Sequence, residues 1–184
     1  MRYAEFETLQ TPRLLLRRIT PADAEGYYTW LASSEAVTRY MTFAPHTEMS
    51  QSVASVEKSL ARYEARQAYR WVLDLPGEGL IGVVDLLRFD EADSSCSFAY
   101  MLGQAYWGKG YGTEALKAVF GFAFDKMELQ RIEADHMAEN PASGAVMRKV
   151  GMQYLRTEKA RYEKNGQLHD AHVYAITRQQ WNRI

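Results

Sequence analysis

A single cysteine, Cys96, stands among 184 residues, which excludes an internal disulfide and a thiolate metal cluster and fits a reducing compartment. Neither sign of charge is in excess. A net charge of −1 supplies no basic footprint for nucleic acid and no acidic tail. Long hydrophobic runs are missing too: no window approaches the ~20 apolar residues of a membrane span. Residues Met1 to Gln10 alternate polar and apolar side chains without the apolar stretch of a signal peptide. These absences set the expectation of a cytoplasmic protein with neither nucleic acid nor membrane as partner. What is present, 47% hydrophobic and 24% charged residues, suits one domain over residues 1–184 with a sizeable core.

Along the chain, strand and helix signals alternate. Arg13 to Ile19 reads as a strand entered from Thr11-Pro12. Thr20, Pro21 and Asp23 then supply an N-cap, a first-turn proline and an acidic third residue, so a helix is expected to about Leu31. Ser33-Ser34-Glu35 starts a second short helical piece, and Met41 to His46 is a loop around Pro45. From Thr47 the spacing Val53, Val56, Leu60, Tyr63 is that of an amphipathic helix. Tyr69 to Leu75 and Leu80 to Arg88 are β-rich runs joined by Pro76-Gly77-Glu78-Gly79, a hairpin signal. A polar turn leads on to Cys96 to Leu102, making a three-stranded antiparallel meander. Later come a strand at Arg131 to Met137 and a short helix at Pro141 to Val150, with Ser143 as a candidate cap and Gly151 just past its end. A closing hairpin, Met152 to Arg161 and Leu168 to Thr177, turns at Asn165-Gly166. The sum is an α/β domain with a mixed sheet and helices on both faces.

Between the meander and the next helix lies Tyr106 to Thr113, rich in glycine. Glycines permit positive φ and close approach of backbone to a ligand. The first amides of the following helix lack internal partners, and its dipole favours an anion, so the stretch reads as a phosphate site. Three frameworks compete for it. Gly103-x4-Gly108-Lys109 matches most of a P-loop, but Gly110 stands where Ser or Thr must ligate Mg²⁺. Gly108-x-Gly110 with Glu133 further on suggests a dinucleotide fold, but Thr113 replaces the third glycine and no second βαβ half follows. The helix beyond, with Ala115, Leu116, Val119, Phe120, Phe122, Ala123 and Phe124, is apolar nearly all round and is expected to be buried.

The third framework accounts for more of the chain. Trp107-Gly108-Lys109-Gly110-Tyr111-Gly112-Thr113-Glu114-Ala115, then Arg131 to Ala134, Asn140-Pro141-Ala142-Ser143 and Lys149-Val150-Gly151-Met152 together resemble the GNAT superfamily of acyl-CoA N-acyltransferases. The closer similarity is to its ribosomal-protein N-terminal acetyltransferase (RimJ/RimL-like) branch, to which Thr11-Pro12-Arg13-Leu14 and Ile81-Gly82 also look alike. The resemblance runs in order from about Thr11 to Thr177. It implies a seven-stranded mixed sheet whose fourth and fifth strands, here Cys96–Leu102 and Arg131–Met137, splay apart. Acetyl-CoA, as co-substrate, would lay its pantetheine arm in the gap against Met101 and Leu102. Its pyrophosphate would rest on Gly108, Lys109, Gly110, Tyr111, Gly112 and Thr113. Trp107 takes the first position of the pyrophosphate motif, and is read as a packing residue. No metal is implied.

The resemblance also assigns chemistry. Carbonyl polarisation would come from a backbone N–H near Met101 or Leu102. Asn140 would bond the pantetheine or a substrate-side water, or else be simply the turn residue before Pro141. Ser143 is a cap or a donor to the departing thiol. Met147 stands where many relatives carry an acid tyrosine, and Ser97 where a glutamate is common. Glu133, Asp135 and His136 remain as base candidates, with the first two on one strand face and His136 on the other. Pairing with an arginine is the plainer reading of Glu133, which is still the best catalytic candidate. His169 and His172 point to opposite faces of a strand and make no metal pair. The acceptor would be a primary amine, either a peptide N-terminus or a small molecule, used by a monomer or homodimer. A weak base favours a low-pKa α-amine over lysine. A non-catalytic acyl-CoA-binding module is the alternative.

Overall fold

Near-continuous burial along the central strands, residues 68–75 and 79–90, gives the sheet two apolar faces. In a computed structural model describing residues 1–183, one mixed sheet forms the frame. Its strands are β1 (Leu9–Gln10), β2 (Leu15–Arg18), β3 (Ala68–Leu75), β4 (Gly79–Asp90), β5 (Ser95–Leu102), β6 (Arg131–Met137), β7 (Gln153–Lys164) and β8 (Gln167–Thr177). Their spatial order is β1-β2-β3-β4-β5-β6-β8-β7. The sheet therefore has eight strands rather than seven, the additional one being the two-residue β1 that pairs with β2. Neighbours run antiparallel except β5 and β6, which are parallel.

Side chains of β4 show why both faces are covered. Ile81, Val84 and Leu86 join one buried cluster, while Leu80 and Val83 join another. The first cluster is closed by α4 (Tyr111–Asp125) and α5 (Pro141–Lys149). As the sequence suggests, α4 is apolar nearly all round: Leu116, Val119, Phe120 and Phe124 are fully buried. Each such side chain contributes about 1.5–3 kcal/mol on leaving water. Trp181, on the short C-terminal α6 (Arg178–Trp181), stacks on Phe124 and seals the far side. The second face is covered by α1 (Ala24–Tyr27), α2 (Glu35–Thr38) and α3 (Met49–Glu64). Among the described residues, no helix is long and apolar enough to cross a membrane.

Turn chemistry places the hairpins where the sequence does. Gly77 and Gly79 have positive φ in the β3–β4 turn, as do Asn165 and Gly166 between β7 and β8. Two local expectations are corrected. The helix expected from Pro21 to Leu31 is three pieces: a 3-10 turn at Pro21–Asp23, α1, and a π turn at Tyr28–Ala32. The Asp23 carboxylate does cap its start, accepting from Thr20 N–H at 2.7 Å. The widened end arises because Ser33 N–H and Oγ both donate to the Tyr28 carbonyl. The second correction concerns α5, whose cap is Asn140 rather than Ser143: Asn140 Oδ1 accepts from Ser143 N–H at 3.3 Å.

Candidate active site

The strands β5 and β6 pair at three rungs only, Ser95 with Arg131, Cys96 with Ile132 and Ser97 with Glu133. Beyond Ser97, β5 continues along β4 as far as Leu102, while β6 stays with β8. Phe98 to Leu102 thus have a strand on one side alone, and along their other edge, among the described residues, the Leu102 carbonyl is taken by the Trp107 indole instead of a strand. This is the splay expected from the resemblance. A cavity of about 280 Å³ lies in and beyond it.

Four segments wall the cavity. From β5 come Tyr100, Met101 and Leu102. The glycine loop brings Trp107, Gly108, Gly110, Gly112 and Thr113. From α5 and its cap come Asn140, Ala142, Ser143, Val146 and Lys149. The far end is closed by Ala36, Val37, Tyr40 and Met41 on and after α2. Of the residues marked in the sequence, Met101, Leu102, Trp107, Gly108, Gly110, Gly112, Thr113, Asn140 and Ser143 are brought together here. Lys109, Tyr111 and Glu133 are not on the wall.

The loop is built for an anion. Gly110 is the residue before α4 and has φ +86°, in the left-handed region. The first helical N–H to reach a carbonyl is that of Glu114, bonding to Gly110 at 3.0 Å. The amides of Tyr111, Gly112 and Thr113 lie ahead of that bond, in the turn where helix amides lack internal partners. Among the described residues, Lys149 is the one charged side chain on the wall. Trp107 is 46% exposed, and its indole N–H donates to the Leu102 carbonyl at 2.7 Å, so it ties the loop to the end of β5 more than it packs.

Residues on α5 refine the expected chemistry. Met147 is 2% exposed within the core, and Val146 faces the cavity instead, so a tyrosine at position 147 would overfill the core. Ser143 is buried beside Tyr100, both on the wall. Burial pushes the Tyr100 phenol pKa up, and the neighbouring Ser143 hydroxyl partly opposes it. Tyr100 carried no distinguishing signal beyond its place on β5.

Along β6 the predicted alternation holds. Glu133 is taken up by the guanidiniums of Arg131 and Arg156. On the same face, Asp135 accepts from the Tyr162 hydroxyl and pairs with Arg161, and burial raises its pKa. His136 lies on the opposite face beneath α5, with Nδ1 2.7 Å from the Met137 carbonyl and Nε2 buried without a partner. Burial lowers its pKa. His169 bonds Glu139 and His172 bonds Thr157, each away from the other. Cys96 is buried, which raises its thiol pKa and keeps it unreactive.

A latch braces the far end of the cavity. Lys164, at the tip of the β7–β8 hairpin, donates from Nζ to the carbonyls of Thr38 and Met41, each at 2.7 Å. It holds the segment bearing Tyr40 and Met41 against the hairpin. Nothing local in the sequence links positions 126 residues apart.

A parallel strand pair that opens halfway, with a left-handed glycine and a helix start beside the opening, is the arrangement that the resemblance to acyl-CoA-dependent transferases implies. The chain belongs to the acetyltransferase (GNAT) domain family, whose model matches residues 13–153. It is 27% identical to the uncharacterized N-acetyltransferase YoaA of Bacillus subtilis, over 94% of this chain and 98% of that one. To the [ribosomal protein uS5]-alanine N-acetyltransferase of Escherichia coli it is 32% identical, over 61% and 59%. A Bacillus anthracis GNAT acetyltransferase structure superposes with a TM-score of 0.84 at 25% identity, covering 94% and 99%. RimL, the ribosomal L7/L12 α-N-protein acetyltransferase in complex with coenzyme A, gives 0.85 at 18%, covering 93% and 98%. This protein is an acetyl-CoA-dependent N-acetyltransferase of the GNAT family.

Proposed function

We propose that the acceptor is a monoamine of low pKa, foremost the α-amine of a protein N-terminus, acetylated by direct attack on acetyl-CoA. The observation carrying this reading is the composition of the cavity's acceptor end. Ala36, Val37 and Met41 with Tyr40 make it largely apolar, and among the described residues no carboxylate lines the cavity. A polyamine held there would leave buried ammonium groups without counter-charge, which is costly. An α-amine brings one charge and sheds it readily, since its pKa lies near ~7.7–8.0. The uS5-alanine enzyme, by its name, acts on such a group.

In this scheme pantetheine lies along the free edge of β5, and the Leu102 backbone N–H, which alternation turns away from β4, polarises the thioester carbonyl; the Met101 N–H faces β4. The pyrophosphate rests on the loop from Gly108 to Thr113. Asn140 shapes the turn that sets Ser143 in place. Ser143 donates a hydrogen bond to the departing thiolate, with the Tyr100 phenol behind it. Full proton transfer from Tyr100 is uphill, because burial raises a pKa that already exceeds a thiol's ~8.5. With Glu133 held by two arginines, the amine arrives neutral from its own equilibrium.

A panel of acceptors tests the reading. With acetyl-CoA, peptides with a free N-terminal alanine or serine should be acetylated, and N-terminally blocked lysine peptides and spermidine should not. Preferred turnover of spermidine would overturn it. No turnover with any amine, despite acetyl-CoA binding, would favour a non-catalytic acyl-CoA module. Ser143→Ala should lower kcat by about tenfold to hundredfold with little change in the acetyl-CoA KM.

A further inference from the structure

Glu114 sits in the first turn of α4, the end that must receive the cofactor's pyrophosphate. A carboxylate there satisfies the helix dipole by itself, but it repels an incoming dianion. The chain answers this from a segment about a hundred residues earlier. Arg13 Nη2 and Nε both lie 2.6 Å from Glu114 Oε2. The Arg13 backbone N–H donates to Oε1 at 2.9 Å, and Thr11 Oγ1 donates to the same atom at 2.7 Å. The remaining guanidinium nitrogen, Nη1, donates to the Lys109 carbonyl at 2.8 Å, inside the glycine loop. The guanidinium plane lies 4.3 Å over the Tyr111 ring. One side chain therefore neutralises the carboxylate and also holds the loop on either side of Gly110.

We propose that Arg13 is a positioning residue for acetyl-CoA, acting through Glu114 and Lys109 to make the start of α4 receptive to the pyrophosphate. The fork geometry is essential. A lysine could neutralise Glu114 but could not reach the Lys109 carbonyl at the same time. The inference rests on the pyrophosphate lying on this loop, and it adds a determinant of cofactor affinity outside both the loop and the cleft wall. Neither Arg13 nor Glu114 lines the cavity.

The test is calorimetric titration of the full chain with CoA, at low and high salt, beside steady-state kinetics. Arg13→Ala should weaken CoA about tenfold, raising the acetyl-CoA KM while leaving kcat at saturation within twofold. The loss should shrink at high salt, because it comes from repulsion that ions screen. Glu114→Gln should bind CoA as tightly as wild type or more so. The double variant Arg13→Ala/Glu114→Gln should recover most of the lost affinity. Should Arg13→Ala melt early without ligand, Arg13→Lys carries the same comparison, with a smaller, salt-insensitive loss from the missing bond to Lys109.

Unchanged affinity in Arg13→Ala would overturn the proposal. So would a double variant as weak as Arg13→Ala, since the loss would then be structural alone. A wild-type protein that fails to bind CoA would instead overturn the placement of the cofactor itself.

Discussion

Gly82→Ala should lower the melting midpoint by roughly 3–10 °C and weaken acetyl-CoA binding more than tenfold. A methyl group at position 82 would lie 2.6 Å from the Met101 carbonyl oxygen, 3.1 Å from Leu102 Cδ1 and 3.4 Å from Leu102 Cα. The nearest of these atoms is backbone, so no rotamer change relieves the contact. Gly82 is itself fixed on both sides, opposite Leu73 on β3 and Leu102 on β5. The adjoining bulge, where the register skips Ile81, already uses up the local slack. The strand that gives way is the end of β5, whose free edge is the proposed seat of pantetheine. Overpacking of this kind costs about 1–3 kcal/mol. Gly121→Ala, on α4 with nothing within 4 Å of the added carbon, is the matched control. It should hold or raise stability, because alanine is the better helix former. Thermal melts and CoA titration of both variants make the comparison. A Gly82→Ala protein that melts lower yet binds CoA normally would remove the β5 edge from the cofactor's path.

How far the sequence could be read follows the range of the forces involved. Pro76-Gly77-Glu78-Gly79 and Asn165-Gly166 announce their hairpins because turn geometry is settled within four residues. The bounds of β6 are read without error, and those of β5 within one residue, because alternation and flanking polar turns act locally. The glycine loop is legible for the same reason, since positive φ leaves glycine as its signature. Legibility fails where distant segments decide. The opening between β5 and β6 is expected from family resemblance alone, since each strand's own residues would allow full pairing. The resemblance sets position 147 where relatives carry an acid tyrosine, and only packing decides that α5 turns Met147 into the core and Val146 toward the cleft. Asn140 takes the cap from Ser143 because Pro141 begins the helix. The Lys164 latch and the Arg13–Glu114 brace join residues over a hundred apart, and no periodicity encodes either.

Gly110→Val should weaken acetyl-CoA about a hundredfold or more while leaving the fold intact. At φ +86° and ψ −3° the backbone lies where a β-branched residue is strained. The added carbon would also meet Arg13 Nη2 at 3.3 Å, and that nitrogen is already committed to Glu114. The loop must therefore change its path, and the amides of Tyr111 to Thr113 lose their common aim. Hydrogen bonds to a charged group are worth about 1.5–3 kcal/mol each, so losing two suffices for the expected drop. Stability suffers less, because Gly108, Lys109 and Gly110 are exposed and no core side chain leans on them. Wild-type protein with acetyl-CoA at ~100 times its Kd gains about 2.7 kcal/mol, visible as a rise in Tm, and Gly110→Val should show almost none of it. Backbone strain also orders the lesser substitutions. Asparagine visits the left-handed region more readily than alanine, so affinity should fall in the order glycine, asparagine, alanine, valine. That ranking separates conformation from bulk, because asparagine is larger than alanine. If alanine binds better than asparagine, crowding against Arg13 governs the site and the left-handed turn is incidental. If valine binds within threefold of wild type, the pyrophosphate does not rest on these amides.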